Sequence, residues 1–352
     1  MESKIEHIIV GGGLAGLLLA WELHKRKISF IIFSNDKPAS SSVAAGTWNP
    51  VSFRTMTPTW RAQEMIDKMD LVYHEIDAKF GTSMYGKIKV EKVLANDQEK
   101  SFWEEKAQSE VSKDFLAAET HQINIKGETR FAGIVKQTGR LDLPHFVTEL
   151  RNFFKEEGNL IEEDFDYEAL EVKNSCSVYK KWEASKVIFS EGTYIINNPW
   201  FNWLPFRPVK GDVLTIKSAD LKVDTIRKKN IFILPIGNDT YKVGATYHWK
   251  DKTWEPSEEA RLEIIEKFEK ITDCTYEIID QRSGIRPATH DRRAIMGAHP
   301  TFKNLYVFNG LGSKGVFLAP LLIGEFCDAL EGKSEINSEV AIDRCFKKYF
   351  LG

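Results

Sequence analysis

The stretch that decides the fold is residues 5–25, IEHIIVGGGLAGLLLAWELHK. It begins with a short apolar run, continues through three glycines, and from Leu14 carries apolar residues at helical spacing. Residues 28–33 (ISFIIF) are again strand-like. The order strand, turn, helix, strand predicts a β-α-β unit, which is typical of α/β folds with a Rossmann-type sheet.

The glycines of this turn, Gly11, Gly13 and Gly16, follow the pattern G-x-G-x-x-G between the strand and the helix. In that pattern the first glycine permits a tight turn, the second lets a diphosphate approach the backbone, and the third allows the helix to pack closely on the strand. The diphosphate faces unpaired N–H groups and the positive end of the helix dipole. A glycine-rich loop of another α/β protein is the alternative, but the position of the pattern favours a dinucleotide site.

One element of the pattern is missing at the end of the second strand. An acidic residue is expected there to bind the adenosine ribose, but Phe33 is followed by Ser34, Asn35 and Asp36. Either Ser34 makes a weaker contact with the ribose or Asp36 reaches back to it. The sequence leaves both alternatives open.

Composition excludes several classes of protein. With 352 residues the chain is long enough for two domains, and its 48 basic and 51 acidic residues nearly cancel to a formal charge of -3. The basic clusters are short and scattered, which argues against a nucleic-acid or membrane-surface protein. Cys176, Cys274, Cys327 and Cys345 lie far apart, so neither a metal site nor a disulfide framework is indicated, and a reducing cytoplasm is expected. The apolar stretch at 8–21 is interrupted by glycines and indicates no membrane span.

Hydrophobic periodicity predicts the remaining elements. Helices are expected near 57–80, 97–110, 143–157, 257–271 and 316–330, and strands near 84–94, 131–139, 208–217, 231–236, 240–248 and 305–309. Because strand-rich and helix-rich segments alternate along the chain, we expect two interleaved domains, each assembled from separate segments.

Three further segments resemble the FAD-dependent family that contains D-amino acid oxidase, glycine oxidase and sarcosine oxidase. Residues 40–50 (SSSVAAGTWNP) are similar to the loop that wraps the FAD diphosphate and touches the isoalloxazine ring. Residues 283–297 (SGIRPATHDRRAIMG) are similar to the flavin-lining loop that carries a substrate-binding arginine. Residues 309–320 (NGLGSKGVFLAP) are similar to the loop and helix whose N-terminus faces the pyrimidine edge of the flavin and stabilises negative charge there.

The resemblance covers nearly the whole chain and implies FAD as the cofactor. Noncovalent binding is expected, since residues 283–297 contain no cysteine and residues 40–50 no histidine. The implied fold is α/β: a Rossmann-type, glutathione-reductase-like FAD-binding domain interleaved with an α+β substrate domain built on an antiparallel sheet. The expected FAD-binding domain takes residues 1–80, 140–200 and 283–352, and the expected substrate domain takes residues 81–139 and 201–282.

The residues expected to bind FAD lie in the glycine turn, at the end of the second strand, in the three similar segments and at one further glycine. They are Gly11, Gly13, Leu14, Ala15, Gly16, Ser34, Ser41, Ser42, Ala45, Gly46, Thr47, Gly192, Arg286, Gly310, Gly312, Ser313, Lys314, Gly315 and Val316. The residues expected to bind substrate are Arg286, Arg54, Tyr247 and Lys314. Aligned on GVFLAP, Ser313 takes the place of an arginine of the glycine oxidase branch, so that carboxylate contact is absent here or supplied by Lys314.

Arg286 and Lys242 are the candidate catalytic residues. The reaction implied by the resemblance is oxidation of the C–N bond of a small amine or amino acid, with hydride transfer to flavin N5 and formation of an imine. The Arg286 guanidinium either holds a substrate carboxylate through two hydrogen bonds or holds an internal carboxylate. Lys242 is similar in context to the lysine that helps oxygen accept electrons in sarcosine oxidases, but an exposed strand lysine is the simpler interpretation.

The leading hypothesis is an FAD-dependent amine or amino-acid oxidase or dehydrogenase. Its expected partners are a small-molecule substrate and oxygen or a quinone as electron acceptor, with no nucleic acid; the protein is expected to be a cytoplasmic monomer or homo-oligomer. Two alternatives stay open: oxidation of a modified tRNA base, and a flavoprotein without catalysis. A continuous basic groove would favour the first, and Arg286 in an internal ion pair with no cavity before the flavin would favour the second.

Overall fold

The structure is a computed structural model that describes residues 3–351. The chain divides into two compact units. Unit 1 contains the residues up to Ser42, Leu143–Val209 and the residues from Ile285 onward, and unit 2 contains Val43–Asp142 and Lys210–Gly284. The chain therefore passes between the units several times, and neither unit is a continuous segment.

The sequence-based domain limits differ from this division mainly at the first crossing. The expected FAD-binding domain took in residues 43–80, whereas the contacts of these residues assign them to unit 2. The later crossings, after residues 142, 209 and 284, lie close to the expected ones after 139, 200 and 282. Which unit binds FAD and which binds substrate stays a prediction.

Unit 1 is built on a sheet with a parallel centre. Its neighbouring strands are, in order, Leu160–Glu162, Phe30–Ser34, Ser3–Val10 and Trp182–Phe189. These pairs are parallel, and the second half of Trp182–Phe189 also pairs in parallel with Leu305–Asn309. The remaining strands of the sheet are antiparallel to their neighbours: Leu170–Val172, Ser177–Tyr179 and Ile295–Ala298.

The helices of unit 1 bury one apolar face each against this sheet or against one another. The main ones are Leu14–Lys25, Leu143–Glu156 and Gly315–Leu330, and short helical turns lie at Ser40–Ser42, Tyr167–Ala169, Gly192–Asn197, Asp343–Cys345 and Phe346–Phe350. In the second helix the buried residues Leu143, Phe146, Leu150 and Phe154 recur at helical spacing, which explains why periodicity located it. The strand residues Ile8, Phe33 and Phe189 belong to one buried core cluster, which also contains residues of the short segments outside the main helices, among them Ile195, Phe201 and Ile342.

Unit 2 contains a large twisted sheet with flanking helices. The sheet order is Glu277–Arg286, Val209–Lys217, Thr240–Gly244, Phe232–Gly237, Ile226–Lys228, Val90–Val93, Glu128–Val135 and Leu116–Ile125. Its helices are Ala62–Phe80, Asp97–Gln108 and Glu258–Glu269. Smaller sheets pair Thr47–Trp48 with Gly139–Leu141 and Tyr85–Lys87, and Val51–Ser52 with Thr57–Pro58.

The structure confirms the predicted fold class and adds detail to it. The expected antiparallel sheet is largely antiparallel, but strands Val90–Val93 and Ile226–Lys228 pair in parallel. The expected loop at 283–297 is strand at both ends, because Glu277–Arg286 and Ile295–Ala298 are paired in sheets. Within residues 3–351, no helix is both long enough and apolar enough to cross a membrane.

Candidate functional site

The glycine turn sits between the first strand and the first helix, and two of its glycines are forced by the backbone around them. Gly11 has φ +112°, and a Cβ on it would lie 2.5 Å from the carbonyl oxygen of Ser190. A Cβ on Gly16 would lie 1.9 Å from the carbonyl oxygen of Gly11. These glycines therefore allow strand, turn and helix to pack together, as the pattern predicts.

Gly13 is less crowded than Gly11 and Gly16, because an added Cβ would meet one side-chain atom and no backbone. It precedes the helix with φ -89°, and a Cβ on it would have only Ser41 Oγ nearby, at 3.2 Å. Leu14, Ala15 and Gly16 form the first turn of the helix, whose first N–H groups lack intrahelical partners. A position without a Cβ, bordered by a serine hydroxyl at a helix N-terminus, is the feature that a diphosphate requires.

Distant segments of unit 1 meet around this turn. The Ser40 hydroxyl donates a hydrogen bond to the carbonyl of Ile285, and Ser41 adjoins Gly13. A Cβ on Gly315 would lie 3.2 Å from the Leu14 side chain, so the last long helix begins beside the first helix. The segments resembling the family's flavin loops are thus brought together with the glycine turn, although they lie up to three hundred residues apart in sequence.

The C-terminal glycine loop is fixed by further contacts. Gly310 has φ +78°, and a Cβ on it would lie 2.7 Å from the Thr289 methyl group. The Asn309 side chain donates a 2.9 Å hydrogen bond to the carbonyl of Gly192. Gly312 has φ +56°, and Ser313 is exposed beside it. The loop therefore holds the start of helix Gly315–Leu330, including buried Val316, in one position.

Lys314 immediately precedes that helix and carries the most unusual charge of the unit. Its ammonium nitrogen is buried and has no hydrogen-bond partner within residues 3–351. Burial lowers the pKa of Lys314 from 10.5 to about 8. Its nitrogen lies 6.0 Å from the centre of the Phe317 ring, a weak contact for a cation. A buried cation that lacks a hydrogen-bond partner among the described residues, at the positive end of a helix dipole, is an arrangement that an anionic ligand would compensate.

Arg286, the predicted substrate-binding arginine, ends strand Glu277–Arg286 and is half-buried. Its carbonyl accepts a 2.8 Å hydrogen bond from the N–H of Ala288. His290 and Asp291 are two further polar residues of this segment, and they have different surroundings. His290 is exposed, whereas Asp291 forms a 3.0 Å ion pair with Arg344. That pair lowers the pKa of Asp291 against the opposing effect of burial.

Ser34 lies where the ribose-binding acid was expected, and a residue that sequence analysis missed accompanies it. Arg151, on helix Leu143–Glu156, donates a 2.6 Å hydrogen bond from Nη1 to Ser34 Oγ. Nothing in the sequence indicated this pairing, because 117 residues separate the two. The alternative ribose ligand, Asp36, has a side chain that is 90% exposed.

Glu191 is a second residue that the sequence analysis did not single out. It follows Ser190, whose carbonyl oxygen lies beside Gly11. Its carboxylate accepts hydrogen bonds from the Tyr167 hydroxyl and, at 2.8 Å, from the Asn198 amide. Burial raises the pKa of Glu191 to about 7, although both hydrogen bonds act in the opposite direction. This network fixes the backbone at Gly192, which has φ +58°.

The other predicted site residues, except Ser42, belong to unit 2. Gly46 has φ +71°, and a Cβ on it would lie 1.9 Å from the carbonyl oxygen of Leu141, while Thr47 pairs with Arg140. Arg54 is exposed, and Tyr247 is 58% exposed. Lys242 is half-buried, and its pKa is lowered first by burial and then by the positive charge of Arg140. Ala45, two residues before Thr47, is half-buried. Ser42, in the same sequence segment, is exposed and belongs to unit 1.

The comparison with protein families decides the identity of the chain. The sequence pattern of DAO, FAD dependent oxidoreductase, matches residues 6–327. The chain belongs to this family. Membership in the DAO family makes the protein an FAD-dependent oxidoreductase and confirms the resemblance seen in the flavin loops.

Curated relatives of two kinds match at low identity. The glycine oxidase of Geobacillus kaustophilus is 24% identical over 371 residues, which cover 95% of this chain and 94% of that protein. The tRNA 5-methylaminomethyl-2-thiouridine biosynthesis bifunctional protein MnmC of Idiomarina loihiensis is 25% identical over 177 residues, covering 48% of this chain and 29% of that protein. The chain therefore spans less than a third of the Idiomarina protein and nearly all of the glycine oxidase.

Solved structures support the DAO fold over most of the chain. Glycine oxidase from Bacillus cereus superposes with a TM-score of 0.76 at 19% identity, covering 94% of this chain and 96% of the other. Iminodiacetate oxidase from Chelativorans sp. superposes with a TM-score of 0.78 at 16% identity, covering 98% of each chain. At these identities the likeness concerns the fold.

The residues of unit 1 fit FAD, the cofactor of the family. The position without a Cβ at Gly13, the free N–H groups of the first helical turn and the buried charge of Lys314 are each suited to an anionic group of the cofactor. The buried cysteines, Cys327 and Cys345, lie in or next to helices outside the flavin-like loops. The fit therefore agrees with an FAD that is held by hydrogen bonds and charge.

Proposed function

We propose that this protein oxidises the C–N bond of a small amine or amino acid with noncovalently bound FAD. Two considerations support the proposal. Glycine oxidase of Geobacillus kaustophilus matches over nearly the full length of both chains. Solved structures of similar fold include iminodiacetate oxidase, L-proline dehydrogenase and L-amino acid deaminase, whose names all refer to amine or amino-acid substrates.

The observation that carries the proposal is the convergence in unit 1 of the glycine turn, Ser40–Ser42, the segment after Ile285 and the start of helix Gly315–Leu330. FAD bound there would supply the hydride acceptor for amine oxidation. The chain itself has to bind the substrate, orient its α carbon and exclude water. No strong general base is needed, because a neutral amine already carries the lone pair that assists hydride loss.

Among the candidate pocket residues, Arg286 is proposed to hold the substrate carboxylate, since a planar guanidinium can donate two parallel hydrogen bonds to it. Lys314 is proposed to compensate negative charge on the pyrimidine side of the flavin, because its ammonium group is buried and has no hydrogen-bond partner in the part of the chain that the structure describes. Lys242 is proposed to favour electron transfer to oxygen. Arg54 and Tyr247, both exposed, are proposed as outer contacts of the substrate.

The test is anaerobic reduction of the purified holoprotein by matched ligand pairs, such as glycine with methylamine and sarcosine with dimethylamine. A substrate should bleach the flavin band near 450 nm, a general property of flavins. The proposal predicts bleaching by at least one amine or amino acid. A yellow protein that none of a broad panel of amines and amino acids reduces would refute it.

Arg286→Ala should slow reduction by carboxylated substrates about a hundredfold or more while leaving reduction by the matched amines within about threefold. Arg282→Ala is the control, because Arg282 lies on the same strand with a side chain that is 63% exposed and paired with Asp280. Equal effects of Arg286→Ala on both members of a pair would remove Arg286 from carboxylate binding and leave amine oxidation itself untouched.

A second function, oxidation of a modified uridine in tRNA, is favoured by the match to the Idiomarina loihiensis bifunctional protein. The balanced charge of -3 speaks against a large nucleic-acid surface. Anaerobic titration of the holoprotein with unfractionated bacterial tRNA distinguishes the two functions. Bleaching by tRNA at micromolar concentration, with no bleaching by free amines or amino acids, would establish the second function in place of the first.

A further inference from the structure

We propose that Ser34 and Arg151 bind the adenosine ribose of FAD, with hydrogen-bond donors taking over the role of the usual carboxylate. The proposal needs only FAD as the cofactor and is independent of the substrate. It concerns the end of the second strand, where this sequence has the G-x-G-x-x-G pattern but lacks the acidic residue that usually accompanies it.

The position of the pair relative to the glycine turn supports the proposal. Strand Phe30–Ser34 is fully buried and pairs in parallel with the strand that leads into the turn. A Cβ on Gly12 would lie 2.4 Å from Ser34 Oγ and 3.0 Å from Arg151 Nη1. Both side chains therefore touch the phosphate-binding turn at the end of the second strand, where a Rossmann-type fold binds the ribose.

Arg151 is anchored in this position by several partners. Nη1 donates to Ser34 Oγ at 2.6 Å, and Nη2 lies 3.4 Å from carboxylate oxygens of both Asp36 and Glu162. Its side chain is only 18% exposed. We assign Asp36 no direct contact with the ribose, because its carboxylate is 90% exposed and lies beside the guanidinium.

The chemistry of the pair determines how it can recognise a ribose. A serine hydroxyl offers one donor and two acceptor positions, and one acceptor position is already used by Arg151. The Ser34 hydroxyl makes only a long 3.5 Å contact with the carbonyl of Asn35, so in the proposed complex it would donate to a ribose oxygen instead, together with guanidinium N–H groups that Ser34, Asp36 and Glu162 do not use. A carboxylate in the same place would instead accept hydrogen bonds from the ribose hydroxyls.

The experiment displaces FAD from the full-length holoprotein with ADP and with 2′,3′-dideoxy-ADP, which lacks both ribose hydroxyls. Released FAD is followed by its fluorescence, and the dissociation constant of each nucleotide is obtained by competition. In the unmodified protein, loss of the ribose hydroxyls should weaken binding about tenfold or more. In Arg151→Ala the two nucleotides should bind within about twofold of each other. In Ser34→Ala the preference for ADP should also fall, but by less.

Arg26→Ala is the matched control. Arg26 is also a unit 1 arginine, also 18% exposed, and it is held by Glu22 and Asp328 away from the glycine turn. This variant should keep the full preference for ADP. Arg151→Lys, which retains the charge, should recover part of that preference if Arg151→Ala proves too unstable to purify.

Two outcomes would overturn the proposal. If Arg151→Ala weakens ADP and dideoxy-ADP equally, Arg151 contacts phosphate or adenine, or only supports the fold. If the unmodified protein binds both nucleotides equally, no ribose hydroxyl is recognised at all. Neither outcome bears on amine oxidation, which is measured separately by flavin reduction.

Discussion

At the scale of single residues, Lys314 connects the stability of the folded chain with the affinity for an anionic ligand. Its ammonium nitrogen is buried without a hydrogen-bond partner among the described residues, so the folded chain carries a charge that water would solvate better. Such a group is retained when a ligand supplies the missing counter-charge. The buried charge therefore lowers the stability of the cofactor-free protein and raises its affinity for the cofactor.

The first prediction is that Lys314→Met stabilises the FAD-free protein at pH 7 by about 2 kcal/mol. The pKa of Lys314 is lowered to about 8 in the folded chain from 10.5, so below pH 8 the lysine is charged in both states and its burial cost is complete. Between pH 8 and 10.5 the folded state loses the proton first, and the stability of the unmodified protein rises relative to the variant. Thermal unfolding of both proteins at pH 7 and at pH 9.5 measures the difference in their free energies of unfolding. This difference should be smaller at the higher pH.

Lys250→Met serves as the control, because Lys250 is exposed and its replacement removes a charge without relieving burial. It should change the melting temperature little at either pH. A Lys314→Met protein that is less stable than the unmodified one at pH 7 would mean that the lysine is compensated in the cofactor-free protein.

At the scale of elements, the glycine turn separates two tasks that its sequence pattern merges. Gly16 is required by the fold, since the carbonyl of Gly11 occupies the position of any side chain. Gly13 is not: its φ of -89° is open to any residue, and only Ser41 Oγ lies near. The same element thus contains one glycine for packing and one for the ligand.

The second prediction follows from this difference. Gly13→Ala should leave the thermal stability of the FAD-free protein nearly unchanged but weaken FAD binding about tenfold or more, because the added methyl group takes up space on the diphosphate side. Gly16→Ala should cost at least about 2 kcal/mol of folding free energy even without FAD. Unfolding of the FAD-free variants and fluorescence titration with FAD measure the two effects, and equal destabilisation by both substitutions would contradict the assignment.

The elements also show how much the sequence could reveal. Helix Leu14–Lys25 and the starts of Leu143–Glu156 and Leu305–Asn309 were predicted because apolar residues there recur with a clear period. Strand Leu116–Ile125 was missed, since it lies at the edge of the sheet and most of its side chains face solvent. The helix predicted from residue 57 begins at Ala62, because Thr57–Pro58 forms a short strand and Arg61 adopts φ 51°.

Within the candidate site, local motifs could be read but pairings across the chain could not. The flavin-like loops carry their own glycine spacing, whereas the contact of Ser34 with Arg151 depends on where a later helix packs. The lack of a hydrogen-bond partner for Lys314 among residues 3–351 likewise depends on its tertiary surroundings. Long-range pairing is determined by tertiary structure, and no periodicity in a single sequence records it.

At the scale of the whole molecule, both units are assembled from separate segments. Unit 1 combines the N-terminal β-α-β segment with strand Leu305–Asn309 and helix Gly315–Leu330. Arg26, at the end of the first helix, donates a 2.6 Å hydrogen bond to Asp328 and is also paired with Glu331. The beginning and the end of the described chain are thereby parts of one cooperative unit.

The third prediction is that a chain ending at Gly284 retains no FAD, although every segment of unit 2 is present in it. Removing residues 285–352 exposes the edge of strand Trp182–Phe189 and the face of the first helix that packs on Gly315–Leu330. Co-expression of residues 285–352 as a separate polypeptide should restore part of the bound flavin, measured by absorbance after purification. Full FAD retention by the shortened chain would show that the C-terminal loop is dispensable for the cofactor.

The late position of strand Leu305–Asn309 has a consequence for biosynthesis. Its partner Trp182–Phe189 leaves the ribosome more than a hundred residues earlier, and the glycine turn earlier still. During translation the edge of Trp182–Phe189 that pairs with Leu305–Asn309 stays unpaired until the later strand has been synthesised. Cofactor binding that depends on this pairing is therefore expected only after residues 305–330 have been synthesised.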